Sequence, residues 1–430
     1  MNRIVLEYRR FASSPIEVRS LLAANAIYAL VLPVIEIFVA AYVLHESHQA
    51  VKVILYQLAI YTATPVAFLV NGYLLRWVAT NKLYAAGMFC SGGALFILMS
   101  YSVTTSVGIV LSGALMGIAT GIFWANRGML ALSSTTDENR NYFYGVETAI
   151  VTVTSVAVPF LVGTLIEVIA GHHERMRGVM IAYRTVGISS LLLTTIAACV
   201  VLLTRFYRSP IEPFLFFRFH PLWQRLLAVA ILKGLGQGYI VTAPALLILK
   251  FVGQEGTLGN IEAIGSCGMA ICLYAIGRAT LPQHRVWVFA CGILLFFAGS
   301  AANAWQFDSI GVVVFVMCLL MAKPLIDLGY YPMQFRVVNV VSELENRALY
   351  TYLFNHELGT FLGRAMGCLL FVLVAWRMSE TIALRYALLV VGVLQIPAIA
   401  LASSLFDHAP AKPLQPIVSA RCTEVAEDPA

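Results

Sequence analysis

The chain has 430 residues, of which 60% are hydrophobic and 12% charged, with a formal net charge of +6. A soluble chain normally carries about a quarter charged residues, so water cannot wet most of this surface and a soluble globular protein is excluded. The positive charge sits mostly at the ends of apolar runs, which points to membrane topology and not to a nucleic-acid partner. Backbone in lipid must satisfy its own polar groups, which leaves helices or closed barrels. Barrel strands would alternate in polarity over about ten residues. The continuous apolar runs found here, of about twenty residues or more, are the length of spanning helices.

In chain order the runs are Leu21–Leu44, Ile54–Trp77, Leu83–Tyr101 and Val107–Leu132, then a polar turn Ser133–Asn141, then Tyr142–Ala170 and Val179–Leu203. The connector Arg205–Arg225 carries Arg205, Arg208, Arg218 and Arg225 with three prolines and divides the chain. The second set is Leu226–Val252, Leu258–Gly277, Val286–Asn303, Ile310–Tyr331, Ala348–Trp376 and Ile382–Phe406. The expected organisation is an N-terminal six-helix bundle over 1–204, a cytoplasmic connector over 205–225, a C-terminal bundle over 226–406 and a disordered cytoplasmic tail over 407–430, which holds four prolines and mixed charge. The first run is long and lacks a clear cleavage site, so it reads as a retained helix. The eight cysteines lie apart without a Cys-x-x-Cys pair, which argues against a disulfide framework or a zinc knuckle. Lysine and arginine concentrate on the side of both termini, which the positive-inside rule makes cytoplasmic. A multi-pass protein of a bacterial inner membrane is expected.

The two halves resemble each other. At an offset of 207 residues Glu138-Asn139-Arg140 matches Glu345-Asn346-Arg347, Phe123-Trp124 matches Tyr330-Tyr331, and Thr135 matches Ser342. Both turns then read as Ser/Thr-x-x-Glu capping boxes before a helix. An even number of helices per half gives a parallel repeat about an axis along the membrane normal, a known transporter plan.

On this 6+6 plan the chain resembles the major facilitator superfamily. Gly72-Tyr73-Leu74-Leu75-Arg76 with Lys82 occupies the place of that family's motif between helices two and three, and Pro159 with Gly163 that of its helix-five element. The resemblance implies an all-α membrane fold of about twelve helices in two pseudo-symmetric bundles, working by alternating access, with helices 1, 4, 7 and 10 around a central cavity.

Charges at mid-bilayer cost about 2.5–3.5 kcal/mol each on insertion scales and so require a reason. Eight lie deep inside apolar runs: Glu36, Arg127, Glu147, Lys233, Lys323, Asp327, Glu357 and Arg364, with a formal sum of zero. Glu167, Arg184, Glu262 and Arg385 lie nearer the outer ends, where they can reach the interface. Depth matching in the helical hairpins pairs Arg127 with Glu147 and Lys323 with Glu357, and leaves Glu36 without a cation. Candidate cavity residues are Glu36, Trp124, Asn126, Arg127, Lys233, Lys323, Asp327, Tyr330 and Tyr331. An unpaired carboxylate or intramembrane histidine can carry a proton, which makes Glu36, Asp327, His356 and Glu357 candidates for coupling. Arg76, Glu138, Arg140, Glu345 and Arg347 are candidates for a cytoplasmic gate.

The expected function is secondary active transport of a small organic solute, coupled to protons or another ion. No Walker motif is present, and no cofactor or metal is called for. Membrane lipids are the expected surroundings, and the protein is expected to act as a monomer that is not an enzyme. A lipid or glycolipid flippase of the same architecture is the alternative. A membrane-embedded transferase is a second one, although His-x4-Asp, Asp-x-Asp and Gly-x-Ser-x-Gly are all absent.

Overall fold

The computed structural model describes residues 11–100, 105–135, 137–171, 175–206, 213–253, 255–279 and 284–407; side chains at 132, 137–141, 175–176, 239, 255, 272–279 and 406–407 fall outside that description. Among the described residues the chain forms twelve long helices. In the first half these are α1 (Ile16–Ser47), α2 (Ala50–Leu74), α3 (Thr80–Ser100), α4 (Ser106–Ser134), α5 (Asp137–Gly171) and α6 (Arg175–Leu202). In the second they are α7 (Pro221–Phe251), α8 (Glu255–Ala279), α9 (Arg285–Trp305), α10 (Ser309–Glu345), α11 (Leu349–Arg377) and α12 (Glu380–Leu405). Eleven are long and apolar enough to cross a membrane. The twelfth, α8, has 25 residues, enough for about 37 Å at 1.5 Å per residue. This is a multi-pass membrane protein with the expected all-α architecture of two six-helix bundles. An even number of crossings puts the start of α1 and the end of α12 at one end of the molecule, here the near end.

Local sequence explains where helices begin and bend. At the far end Thr105, Asp308 and Ser379 cap α4, α10 and α12 by accepting from the backbone N–H of Gly108, Gly311 and Ile382 at 3.2, 2.9 and 3.2 Å. The hydrogen bond from Gly311 holds the exposed Asp308 carboxyl below the usual range. Within α1 the residues after Pro33 open into a π-helical turn, Val34–Phe38, which carries Glu36. In α7 the run breaks after Ile240, and a second piece, Ala243–Phe251, restarts with Pro244 in its first turn.

Two expected boundaries shift. The polar stretch Ser133–Asn141 does not form one long turn, because α5 already begins at Asp137. The tenth run does not stop at Tyr331: α10 continues to Glu345, burying Met333, Val337, Val338 and Val341 against α7, α9, α11 and α12. Apolar length marks only the part that lipid requires; this extension is held by protein. It also overturns the second capping box. Ser342 lies inside α10, donating to the Asn339 carbonyl at 3.0 Å, and Asn346 ends the helix in the left-handed conformation with φ 46°.

Glycine seams draw helices together where the apolar effect between them is weak. Gly113, Gly117 and Gly121 line one face of α4, with the carbonyls of Tyr56, Ile60 and Thr64 of α2 lying where a β-carbon would stand. In the second half Gly234 and Gly238 of α7 face Gly363 and Gly367 of α11. The halves meet through α2 with α11 and α5 with α8, two contacts that exchange under the repeat.

Packing is unequal at the two ends. At the far end one apolar core runs continuously through both halves, from Phe38 and Tyr42 to Leu246, Phe315 and Leu388. Towards the near end the core splits. One cluster belongs wholly to the first half, around Tyr28, Tyr84 and Phe123. Another belongs wholly to the second, around Trp223, Tyr330 and Tyr352. A smaller cluster bridges them at one edge, where Phe214 of the connector packs on Phe68, Tyr350 and Phe354. Contact between α1 and α7 lies in their far pieces. The halves therefore share one core at the far end, and towards the near end their cores are separate and bridged at one edge.

The α4 seam is directly testable. Gly117→Leu places carbon where the Ile60 carbonyl already stands, and overpacking of this kind costs about 1–3 kcal/mol or more. Its melting temperature in detergent is expected to fall clearly, whereas Gly93→Ala, which meets nothing within 4 Å, leaves it unchanged or slightly raised.

Candidate functional site: a charged cavity between the halves

Among the described residues, four ion pairs lie inside the helices of the two halves and between them. Arg127 of α4 grips Glu147 of α5 in a two-pronged contact, Nη2 to Oε2 at 2.5 Å and Nε to Oε1 at 3.1 Å. Glu147 also accepts from Asn25 Nδ2 at 2.6 Å, and Asn25 accepts from the Tyr84 hydroxyl at 2.5 Å. This network ties α1, α3, α4 and α5 together. Of the two depth-matched pairs, the structure brings Arg127 and Glu147 into contact.

The second hairpin pair is corrected. Lys323 does not meet Glu357; its Nζ lies 3.3 Å from Glu36 Oε2 across the divide between the halves. Glu357 pairs with Arg364 of its own helix at 2.7 Å, and Arg364 Nε donates to Gln237 Oε1 at 3.1 Å. Glu36 is thus not the carboxylate without a cation. The reading from depth considered only neighbours along the chain, whereas α1 and α10 are brought together by the two-bundle fold. Both partners remain nearly half exposed, at 48% for Glu36 and 46% for Lys323.

Lys233 of α7 is the buried cation of the second half. Its Nζ is 2.7 Å from Asp327 Oδ1 and lies 4.5 and 4.4 Å from the ring centroids of Tyr330 and Tyr331. Two aromatic faces and a carboxylate replace its water shell. The Tyr330 hydroxyl in turn hydrogen-bonds His356 Nε2 at 2.7 Å. Tyr330 is fully buried, so it supports the cavity wall and does not line it. Asn126 is corrected in the same way: it is fully buried, donating to Asn71 Oδ1 at 2.6 Å and to the Ile122 carbonyl at 2.7 Å.

Trp124 and Tyr331 hold equivalent positions in the repeat and equivalent surroundings. Each residue is 43% exposed and carries a cation over its ring, Arg127 at 5.1 Å and Lys233 at 4.4 Å from the centroid. Residues that sequence reasoning passed over complete the site. Tyr61 of α2 donates to the Gln237 carbonyl at 2.7 Å and sits under the Arg364 guanidinium at 5.0 Å, joining the halves. Glu262 of α8, taken as able to reach the interface, is only 4% exposed. Nothing in its local sequence separates a surface carboxylate from a buried one; only the packing of α8 does.

At the near end Glu345 and Arg347 tie the connector down. Glu345 accepts from the His220 backbone N–H at 2.6 Å and the Tyr352 hydroxyl at 2.7 Å, and pairs with Arg347 at 3.0 Å. Arg347 donates to the Arg218 carbonyl at 2.7 Å and stacks on Phe216 at 4.2 Å. Arg76 lies 5.4 Å from the Tyr73 ring. The side chains of Glu138 and Arg140 lie outside the described residues.

Solved structures with a similar fold include transporters. A structure described as nucleoside transporter NupG superposes with a TM-score of 0.65 at 13% identity, over 91% of this chain and 99% of that one. The chain shares the fold of that structure. A structure concerning substrate recognition in proton dependent oligopeptide transporters gives 0.64 at 11% identity, over 91% and 98%. A bacterial homologue of the human lysosomal transporter Spinster, inward-facing and unoccupied, gives 0.62 at 13% over 94% and 100%. In sequence the chain is 20% identical over 384 residues to uncharacterized protein YqgE of Bacillus subtilis (strain 168), covering 87% of this chain and 86% of that protein. It is 24% identical over 151 residues to an uncharacterized protein in the sodM 3' region of Geobacillus stearothermophilus, covering 35% and 71%. No family model matches the chain.

The Arg127–Glu147 network makes a specific prediction. Arg127→Gln strands a buried carboxylate, at a typical cost of about 3–5 kcal/mol, visible as a lowered melting temperature. The exchanged double variant Arg127→Glu with Glu147→Arg is expected to recover part of the loss, since the amide of Asn25 must turn over to face a cation. Strict additivity of the two single changes would mean that the contact carries no coupling.

Proposed function

We propose that the protein is a secondary active transporter that moves a small organic solute by alternating access, coupled to protons. The observation that carries this reading is the unequal packing of the two ends, a shared core at one and separate cores at the other; we infer a charged cavity that opens at the divided end, with the fold's own repeat supplying the means to exchange the two ends. A solute entering from the near end meets the Glu36–Lys323 pair and the exposed Trp124 and Tyr331 rings. This mixture suits a zwitterionic or amphipathic molecule with an apolar body. We place the near end in the cytoplasm of a bacterial inner membrane on the distribution of lysine and arginine, which makes the cavity inward-facing. Reporter fusions at the connector are expected to give cytoplasmic signals, and a periplasmic signal would reverse the orientation.

Closure of the far end depends on polar contacts as well as the shared core. The Glu380 carboxylate, opening α12, accepts from the first backbone N–H groups of α2, Ala50 and Val51, at 3.2 Å each. It offsets the positive end of the α2 dipole across the two halves. Hydrogen bonds to a charged group are worth about 1.5–3 kcal/mol, so Glu380→Ala is expected to shift the population towards a far-end-open state. Leu246→Cys, buried at that end, then reacts with maleimide about tenfold faster or more, and equal rates with and without Glu380 would remove this latch from the mechanism.

Transport itself is tested in proteoliposomes loaded with a metabolite extract under an imposed pH gradient. Solutes that accumulate with the wild type and not with Lys233→Ala identify the substrate. If no solute redistributes in either direction, the transporter reading fails.

A further inference from the structure

The four ion pairs of the cavity each sum to zero, yet the buried charges do not. Glu262 is a further carboxylate in the membrane region, 4% exposed, with no ion pair or hydrogen bond among the described residues. It lies about seven residues into α8 from the far end, or about 10 Å along the axis. α8 packs on α10 where Gly265 meets the Leu320 side chain, one turn from Glu262 and one turn from Lys323, and Lys323 already pairs with Glu36 of α1. Other charges near α8 do not relieve it. Glu167 of α5 stands against Gly256, more than a turn away, and is itself acidic. Asp327 on α10 interacts with Lys323 but pairs with Lys233. Lys250, on the far piece of α7, donates to Thr381 of α12 at 3.1 Å.

Two carboxylates therefore share one ammonium at the junction of α1, α8 and α10. The structure assigns Glu262 as a proton-binding site, with Glu36 and Lys323 as the pair that governs whether the proton stays. A buried carboxylate with no cation of its own is destabilised in its charged form, and neutralising it by one proton restores balance. While Lys323 is held by Glu36, Glu262 keeps the proton. When Lys323 is released from Glu36, by substrate entering or by the halves moving apart, it compensates Glu262 and the proton leaves to water. Glu36 and Lys323 belong to different halves and Glu262 to the second, so the proton is governed by the motion that exchanges access. This deepens the proton-coupled reading above, but proton occupancy is measurable without any substrate.

Infrared pH-difference spectra of the purified protein in lipid report buried protonated carboxyl groups directly. The wild type is expected to show one such signal at neutral pH that Glu262→Gln removes and Glu262→Asp retains. Glu36→Gln frees Lys323 for Glu262, so the signal is expected to vanish at neutral pH even though Glu262 is intact. Lys323→Gln removes the shared cation and is expected to add a second signal. These two variants keep the test decisive if Glu262→Gln fails to fold. An undiminished signal in Glu262→Gln, or one unaffected by Glu36→Gln, overturns the assignment. Loss of the signal on adding sodium at constant pH also overturns it, in favour of a metal-cation site. None of these outcomes bears on whether a solute crosses the membrane, which the proteoliposome assay decides separately.

Discussion

Charge in a low-dielectric interior must be compensated locally, and this constraint organises the protein more than any apolar contact does. Lipid tails are as apolar as leucine, so burying hydrophobic surface does little to choose one helix neighbour over another within the membrane. An ionic group is different, since each one lacking a partner costs several kcal/mol. Arg127 with Glu147, Lys233 with Asp327 and Arg364 with Glu357 fix relations within the two halves. Lys323 with Glu36 fixes one between them. The pairs within a half are each at least partly buried, as rigid parts should be, while the pair between halves is the most exposed of the four.

That division suits the proposed exchange of access, in which the halves would move as bodies. Within each half, glycine seams let backbones approach until the carbonyls of one helix stand where a side chain would be, which leaves no room for sliding. Between the halves the far end holds by a shared core and by Glu380 on the first turn of α2. The near end is divided into separate cores and spanned at one edge by the connector. The Glu345–Arg347 turn anchors that connector through backbone groups of Arg218 and His220. A motif that reads as a helix start is thereby used to fasten a loop, and its arginine serves the chain itself.

Composition and apolar run length determined the membrane class and the helix count, because lipid imposes a length and a polarity on each crossing wherever that crossing sits in the bundle, while the connector and the repeated motifs marked the two related halves. Spacing within a hairpin foresaw Arg127 beside Glu147, whereas the same reasoning misplaced Lys323 beside Glu357. Beyond that the sequence was silent for a physical reason. Which distant helix supplies a partner depends on how the bundles pack, so the link between Glu36 and Lys323, the burial of Glu262, and the enclosure of Asn126 and Tyr330 were decided by tertiary structure alone. The extension of α10 past Tyr331 was hidden for a related reason: its support is protein, and hydropathy measures only what lipid demands.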